Sequence, residues 1–365
     1  MSRPITLVDL RVQSHELEEI TTAVAAVLER GWFILGPEVE AFEAELAQAS
    51  GRLHAVGLAS GTDALIVGLR ALGVGPGDQV VVPNMTAFPT AAAVVETGAT
   101  PLLVDVEDDR PLLDLHATLG ALTPQTRAVV LVHLYGACAD ATAFAAALAD
   151  RGIALVEDCA QAQGATLPSG KPVGTAGAFG AFSFYPTKNL AAVGDAGAVV
   201  TDDPALASEI RAWRSHGERG RRYHHELPAR NSRLDDVQAA VLRLRLQRLA
   251  ANVARRRQLS ALYERHLPPQ LRYVSHGDGG APHLAVVAAE RRDELASHLA
   301  GQGIGTGCHY PEALSEQPAL RGLARLAGGD HAIGWARSCL SLPLHLGLTD
   351  DDVLAVAAAV SDWAD

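Results

Sequence analysis

Cysteine is scarce in this sequence. The four residues present, Cys138, Cys159, Cys308 and Cys339, lie far apart, and no Cys-x-x-Cys spacing occurs. Neither a disulfide framework nor a zinc site is therefore suggested, and no metal is expected. Long apolar runs are also missing. Met1–Leu10 lacks the apolar core of a secretory signal, and no segment approaches the roughly 20 residues of a membrane span. A soluble, cytoplasmic protein without a membrane partner is the expectation. A basic surplus is absent too: the formal net charge is −12. Nucleic-acid binding, which needs cations to replace counterions, is thereby disfavoured. Arg211–Arg222 is a basic cluster, but it is short and interrupted by Glu218; it reads as a solvated face or an anion site. Aromatic residues make up only 5% of a chain that is 48% hydrophobic and rich in Gly and Ala. Small side chains of this kind suit helices packed closely on a sheet, and 365 residues suffice for about two domains.

What is present is an alternation. After an extended arm over residues 1–14, helical periodicity runs from about His15 to Gly31, and a second helix spans roughly Pro37–Gln48. Apolar, strand-like runs follow at His54–Leu58, Gln79–Val82, Pro101–Val106, Ala128–Val132, Ile153–Val156, Phe179–Tyr185 and Ala198–Thr201. Helical patterns separate most of them. Such alternation predicts a mainly parallel, seven-stranded sheet covered on both faces. The last two strands are joined too briefly for a parallel crossover, so one of them is expected to be antiparallel. From Leu234 a single long helix is predicted to about His266, leading into a smaller C-terminal α/β domain. That domain offers strands at His283–Ala288 and Gly303–Cys308 and helices at Arg291–Ala300 and Asp350–Trp363. The expected division is a large domain over 1–245, with the arm, and a small one over 246–365.

Four stretches could carry chemistry. Lys188 sits in the turn-rich segment between the last two strands of the large domain, with no other charge between Lys171 and Asp195. It reads either as an ordinary loop lysine or as an amine held against an apolar sheet. Desolvation in the second setting lowers the amine pKa and makes the nitrogen a nucleophile toward carbonyls. Ser60-Gly61-Thr62 opens a helix directly after a strand, a place for a simple N-cap or for a phosphate. Asp158 follows the apolar run Ile153–Val156, where α/β sheets place ligands. A buried carboxylate there is costly unless paired, so it caps a turn or meets a cationic nitrogen. Asn231-Ser232-Arg233-Leu234-Asp235 opens the long helix, as a cap or as a ligand contact. Together a phosphate-binding turn, a carboxylate for a ring nitrogen and a lysine for an aldehyde match the needs of pyridoxal 5'-phosphate, in the order of a fold-type I enzyme.

The motifs go further. Gly31-Trp32-Phe33-Ile34-Leu35-Gly36-Pro37, Ser60-Gly61-Thr62-Asp63-Ala64-Leu65, Glu157-Asp158-Cys159-Ala160-Gln161, Ser183-Phe184-Tyr185-Pro186-Thr187-Lys188-Asn189 and Asn231-Ser232-Arg233-Leu234-Asp235 resemble the DegT/StrS family of sugar aminotransferases over nearly the whole chain. The resemblance implies that Lys188 binds the cofactor's aldehyde and later moves a proton, and that Asp158 pairs with its ring nitrogen. It implies that Gln161 faces the ring hydroxyl and that Gly61, Thr62 and Ser183 bind the phosphate. Asn231 would reach the same phosphate from a neighbouring subunit, implying a homodimer with shared sites. Tyr185, His309 and Tyr310 would approach the substrate, the last two equally explained by packing within the smaller domain. Relatives that dehydrate rather than transaminate carry His where Lys188 stands, so amino transfer is implied. The expected substrates are an amino acid, usually glutamate, and a nucleotide-linked keto-deoxyhexose. Alternatives are a carbocyclic ketone (an inosose) aminated from glutamine, and a non-catalytic regulatory protein that binds the cofactor.

Three features depart from the family pattern, the least of them the small residues Ala176-Gly177-Ala178 and Ala191-Ala192 at variable positions. Ala87 stands where an aromatic residue usually covers the cofactor ring, leaving Phe88 either to stack or to join the core. Ala229-Arg230 replaces a Gly-aromatic pair, which adds a charge near the expected substrate phosphates.

Overall fold

A computed structural model describes residues 3–12 and 14–364; Met1, Ser2, Gln13 and Asp365, part of the predicted arm and of the C-terminus, lie outside the described residues. The large sheet is built from β1 (His54–Leu58), β2 (Gln79–Pro83), β3 (Thr100–Val104), β4 (Thr126–Val132), β5 (Ala154–Asp158), β6 (Phe179–Ser183) and β7 (Gly197–Thr201). These are the seven expected runs, with ends that differ by up to two residues. Every residue of β2 and β7 is buried, and the other five strands are buried over most of their length. That is the continuous apolar character of strands covered on both faces.

The smaller sheet contains β8 (Arg272–Tyr273), β9 (Ala285–Ala288) and β11 (Cys339–Leu342), all antiparallel, in the order β11-β9-β8. Between them in sequence comes β10 (Arg325–Ala327), which crosses back and pairs in parallel with β3. Among the described residues the large sheet therefore has eight strands, in the order β1-β7-β6-β5-β4-β2-β3-β10, rather than seven. The extra edge strand is three residues long and mostly exposed, so it has no apolar signature.

β7 is antiparallel to both of its neighbours, as the short β6–β7 connection requires. Register follows from this: Gly197, the first residue of β7, lies opposite Leu58 of β1 and Ser183 of β6. The connection carrying Lys188 thus opens at the same edge of the sheet as the carboxyl ends of β1 and β6. Asp158, the last residue of β5, pairs with Ala181 and lies at that edge too. Topology alone converges the phosphate-like turn, the carboxylate and the lysine on one crevice.

The long helix expected from Leu234 is two helices, Asp236–Leu246 and Leu249–His266. At the break the Arg248 amide bonds to the Arg245 carbonyl at 3.1 Å, three residues back instead of four. Arg245 itself is drawn aside by Glu16 at 2.7 Å and the Ala191 carbonyl at 2.8 Å. The strand expected at Gly303–Cys308 is absent. Its residues bridge two different segments, Ile304 to Ile5 and Gly307 to Ser341, and so join no ladder. The N-terminal arm runs against this region: Gly305 donates to the Ile5 carbonyl at 2.8 Å, and Arg3 pairs with Asp352 at 2.7 Å. A second apolar core, with Tyr263, Val287, Leu299, Leu342 and Val356, lies around the small sheet, separate from the core of the large one. Among the described residues no helix is long and apolar enough to cross a membrane.

Beneath the crevice lies a fully buried polar cluster. Glu157 accepts from the amides of Gly174 at 2.9 Å, Ala176 at 2.7 Å and Gly177 at 2.9 Å, and pairs with His133 Nε2 at 3.1 Å. Burial alone would raise the carboxyl pKa, but His133 and these amides together hold it below the usual value. The Ala139 amide donates to His133 Nδ1 at 3.1 Å, so the ring presents its Nε2 proton to Glu157. Cys159 Sγ lies near enough to complete a metal-like triplet, but the imidazole and carboxylate lone pairs are spent on these donors. Glu157→Gln places an amide proton donor against other donors. It is expected to destabilise the fold by about 3–5 kcal/mol in denaturant unfolding, whereas exposed Glu29→Gln changes stability little.

Candidate active site

The helix Gly61–Ala71 starts at the mouth of the crevice. Ser60 caps it, its Oγ accepting from the Asp63 amide at 3.1 Å, which leaves the Gly61 and Thr62 amides as free donors of the first turn. A Cβ on Gly61 would lie 2.5 Å from Ser183 Cβ, and one on Gly197 would lie 2.3 Å from the Ser60 carbonyl carbon. Glycine at both positions lets the helix start press against the ends of β6 and β7. The result is a small cradle holding the Gly61 and Thr62 amides and the Ser183 hydroxyl, suited to a phosphate. Asp63, in the same turn, would repel an anion. Its carboxylate is instead occupied by Arg230 Nη1 at 2.8 Å and Ser232 Oγ at 2.7 Å. Arg230 also approaches Glu96 at 3.6 Å. Its guanidinium, with a side chain 40% exposed, thus makes its ion pairs within the chain.

Asp158 is buried at the end of β5. Its Oδ2 accepts from Thr90 Oγ1 at 3.0 Å and its Oδ1 from the Ala160 amide at 3.1 Å. Burial raises its pKa, against these two donors and the charge of Lys188. Lys188 is half-buried. Its backbone amide donates to the Tyr185 carbonyl at 2.8 Å, while its ammonium has no hydrogen bond or ion pair among the described residues. Burial lowers its pKa to about 8, with the charge of Asp158 acting in the opposite direction. A carboxylate that is costly to ionise and an unpartnered, easily neutralised amine face one crevice. That is the arrangement needed to hold a protonated ring nitrogen and a carbonyl carbon.

The lysine shift also makes a stability prediction. A lysine with a depressed folded pKa binds fewer protons folded than unfolded between pH 8 and its ordinary 10.5. Its cost is fully present below pH 8 and is relieved as pH rises through that window. Cofactor-free Lys188→Met is expected to be more stable than the parent chain below pH 8, with the advantage shrinking toward pH 10.5. Paired denaturant titrations across that range check the sign.

The other predicted residues divide. Gln161 is buried between two partners: its Oε1 accepts from the Tyr135 amide at 2.7 Å and its Nε2 donates to Tyr310 Oη at 3.0 Å. Tyr310, which burial pushes up to about 12, and His309 thus come from the C-terminal part of the chain to the crevice. Burial, and then the charge of Lys188, lower the His309 pKa. His309 Nδ1 meets Ser341 Oγ at 2.8 Å, and its carbonyl accepts from the Tyr135 hydroxyl. Tyr185 is 52% exposed beside Lys188. Phe88 is 39% exposed at the first position of its helix and belongs to neither core, which removes the reading of it as a core residue. Asn231 is exposed, its side chain without a hydrogen bond among the described residues, and it joins the others only through its neighbours Arg230 and Ser232.

Sequence reasoning missed three participants. Thr90, which orients Asp158, lies one helical turn after Thr86 and bonds to it at 3.3 Å; two threonines four apart at a helix start were the available signal. Tyr135, buried, links Gln161 to His309. Asn189 ties the lysine loop to the C-terminal part through the Ala281 carbonyl at 3.0 Å. Of the Arg211–Arg222 cluster, Arg214 is not a solvated charge: it is buried against Glu43 at 2.5 Å and the Gly57 carbonyl at 2.9 Å.

A large mixed sheet with an antiparallel smaller sheet, and a cradle, carboxylate and lysine at one edge, define a fold-type I aminotransferase dependent on pyridoxal phosphate. The sequence model of the DegT/DnrJ/EryC1/StrS aminotransferase family matches residues 14–361, and the chain belongs to that family. It is 46% identical over 368 aligned positions to dTDP-3-amino-3,4,6-trideoxy-alpha-D-glucose transaminase of Streptomyces venezuelae, covering 99% of this chain and 96% of that one. It is 40% identical to UDP-N-acetyl-3-dehydro-alpha-D-glucosamine 3-aminotransferase of Acidithiobacillus ferrooxidans, covering 98% and 97% of the two chains. The crystal structure of Streptomyces venezuelae DesV in complex with a ketimine intermediate superposes with a TM-score of 0.95 at 44% identity, covering 100% of this chain and 99% of that one.

Proposed function

We propose that this enzyme transfers an amino group from an amino acid, with glutamate the expected donor, to a nucleotide-linked keto-deoxyhexose. The observation that carries the reading is the unpartnered Lys188 amine, lowered to about 8, set at the same sheet edge as buried Asp158 and the Gly61 cradle. The full-length similarity to transaminases of dTDP- and UDP-linked sugars supports the acceptor class.

The residues fit pyridoxal phosphate, and each has a defined task toward it. Gly61, Thr62 and Ser183 would hold the phosphate through two amides and a hydroxyl. Asp158, oriented by Thr90, would keep the ring nitrogen protonated, and Gln161 would face the ring hydroxyl. When bound, the group acts as an electron sink that acidifies the bond beside the substrate nitrogen. Lys188, close to half neutral near pH 8, would take that proton and return it at the cofactor carbon. Tyr185, His309 and Tyr310 would bound the substrate space and exclude water, with Phe88 at the mouth.

The same reading implies a homodimer. The unpaired, exposed Asn231 side chain fits a role in a neighbouring subunit's phosphate site. Trp32, Phe33 and Ile34 are 56%, 45% and 43% exposed, and Ile34 bridges to Asp235, four residues beyond Asn231 in the same motif. It also suits a division near residue 245, the second core belonging to the smaller domain, and a reducing, cytoplasmic setting in which all four cysteines stay free. The test is amino-sugar formation from glutamate and a panel of nucleotide-linked keto sugars, followed by mass spectrometry. Formation of an amino sugar is expected. No product, where an authentic family transaminase yields one in the same assay, would overturn the assignment of the acceptor.

A further inference from the structure

One thiol pair stands apart from the cofactor chemistry. Cys308 Sγ lies 3.5 Å from Cys339 Sγ, the first at the end of the Gly303–Cys308 segment and the second opening β11. Cys308 is half-buried, and Arg292 Nη1 donates to its sulfur at 3.3 Å. Cys339 is fully buried, and its sulfur lies 3.5 Å from the Tyr310 carbonyl. Among the described residues, Cys138 and Cys159 each have only a backbone carbonyl as hydrogen-bond partner to sulfur, Gly279 and Glu157 respectively. The two halves of the pair differ in the way a nucleophilic and a resolving thiol differ: one solvent-accessible and beside a cation, the other shielded and aimed at it.

We infer that Cys308 and Cys339 form a dithiol that hydrogen peroxide converts to a disulfide, and that this cross-link slows amino transfer through Tyr310. The contact with Cys339, with Arg292 beside it, lowers the Cys308 pKa despite burial, while contact and burial hold the Cys339 pKa up. The Cys308 thiolate attacks one peroxide oxygen and the O–O bond breaks. Water leaves, and a sulfenic acid remains on Cys308. The Cys339 sulfur then attacks the sulfenic sulfur. Its proton leaves with the departing hydroxide as a second water, and the S–S bond forms. Two thiols lose two electrons in all, and one peroxide becomes two waters.

Bonding brings sulfurs now 3.5 Å apart to about 2.05 Å, a movement of roughly 1.5 Å beside the Tyr310 carbonyl. Tyr310 Oη holds Gln161, and the adjacent His309 carbonyl holds the Tyr135 hydroxyl, so the shift is passed to groups that border the crevice. A misplacement of about 1 Å in such groups costs on the order of 10²-fold in rate.

The experiment treats the cofactor-loaded enzyme with hydrogen peroxide and follows free thiols, peptide masses and amino-transfer rate together. Expected are the loss of two thiols per chain, a peptide cross-linked between Cys308 and Cys339, a rate fall of about tenfold or more, and recovery with dithiothreitol. Cys339→Ala should trap the sulfenic acid on Cys308 as a dimedone adduct. Cys308→Ser should keep its rate under the same peroxide. A cross-link through other cysteines, an unmodified Cys308, or a Cys308–Cys339 cross-link that leaves the rate unchanged would each overturn the inference. The thiol and mass readouts do not depend on which sugar is the acceptor, so they fail separately from the functional reading.

Discussion

Lys188→Ala is expected to lose amino transfer by roughly 10³- to 10⁴-fold or more while still binding pyridoxal phosphate. The two effects separate because the residues that hold the phosphate differ from the residue that moves the proton. The cradle of Gly61, Thr62 and Ser183 is built by the helix start and the ends of β6 and β7, and its donors are two backbone amides and a hydroxyl rather than the lysine side chain. Lys188→Arg is the informative companion. It restores positive charge and length, but a guanidinium stays protonated throughout the working pH range and can neither attack a carbonyl nor accept a proton. No recovery of rate is expected from it. Single-turnover kinetics with glutamate, alongside equilibrium binding of the cofactor, measure the two quantities separately.

Asp158→Asn should reduce kcat by about 10²- to 10³-fold and weaken cofactor binding, without lowering the stability of the cofactor-free protein. Asparagine keeps Oδ1 as acceptor for the Ala160 amide, and its Nδ2, standing where Oδ2 was, donates to the Thr90 hydroxyl, so both contacts survive with one of them reversed. The negative charge opposite the ring nitrogen does not. In the cofactor-free chain that charge is a burden, since burial raises the carboxyl pKa. Removing it relieves desolvation at neutral pH and loses little else. An ordinary turn-capping aspartate would behave the other way, with stability falling and activity following it. Thermal unfolding of the cofactor-free variant beside its steady-state kinetics distinguishes the two.

Much of the site could be read from the sequence because parallel α/β sheets gather their ligands at one edge. Once His54–Leu58, Ile153–Val156 and Phe179–Tyr185 were read as strands, Gly61, Asp158 and Lys188 had to fall at the carboxyl ends, and β7 had to turn back. What escaped the sequence was held by contacts without periodicity. β10 is three residues on a sheet edge, joined to β3 by a crossing from the other end of the chain. The Gln247–Arg248 break carries neither glycine nor proline, so the helical pattern runs through it unmarked. Thr90 and Tyr135 matter through what they orient, Asp158 and Gln161, and a lone hydroxyl or phenol announces no partner. The ion pairs of Arg230 were equally hidden, because Asp63 and Glu96 are brought to it only by the fold.

The central claim is that Lys188 is the residue to which the cofactor aldehyde bonds. The sequence makes this unusually simple to test, because exposed Lys171 is the only other lysine in the chain. The enzyme loaded with pyridoxal phosphate is reduced with borohydride, digested and mapped by mass spectrometry. A phosphopyridoxyl group on Lys188 and none on Lys171, lost when glutamate is added before reduction, is the result expected. Label on Lys171 or the N-terminal amine with Lys188 unmodified would contradict the account.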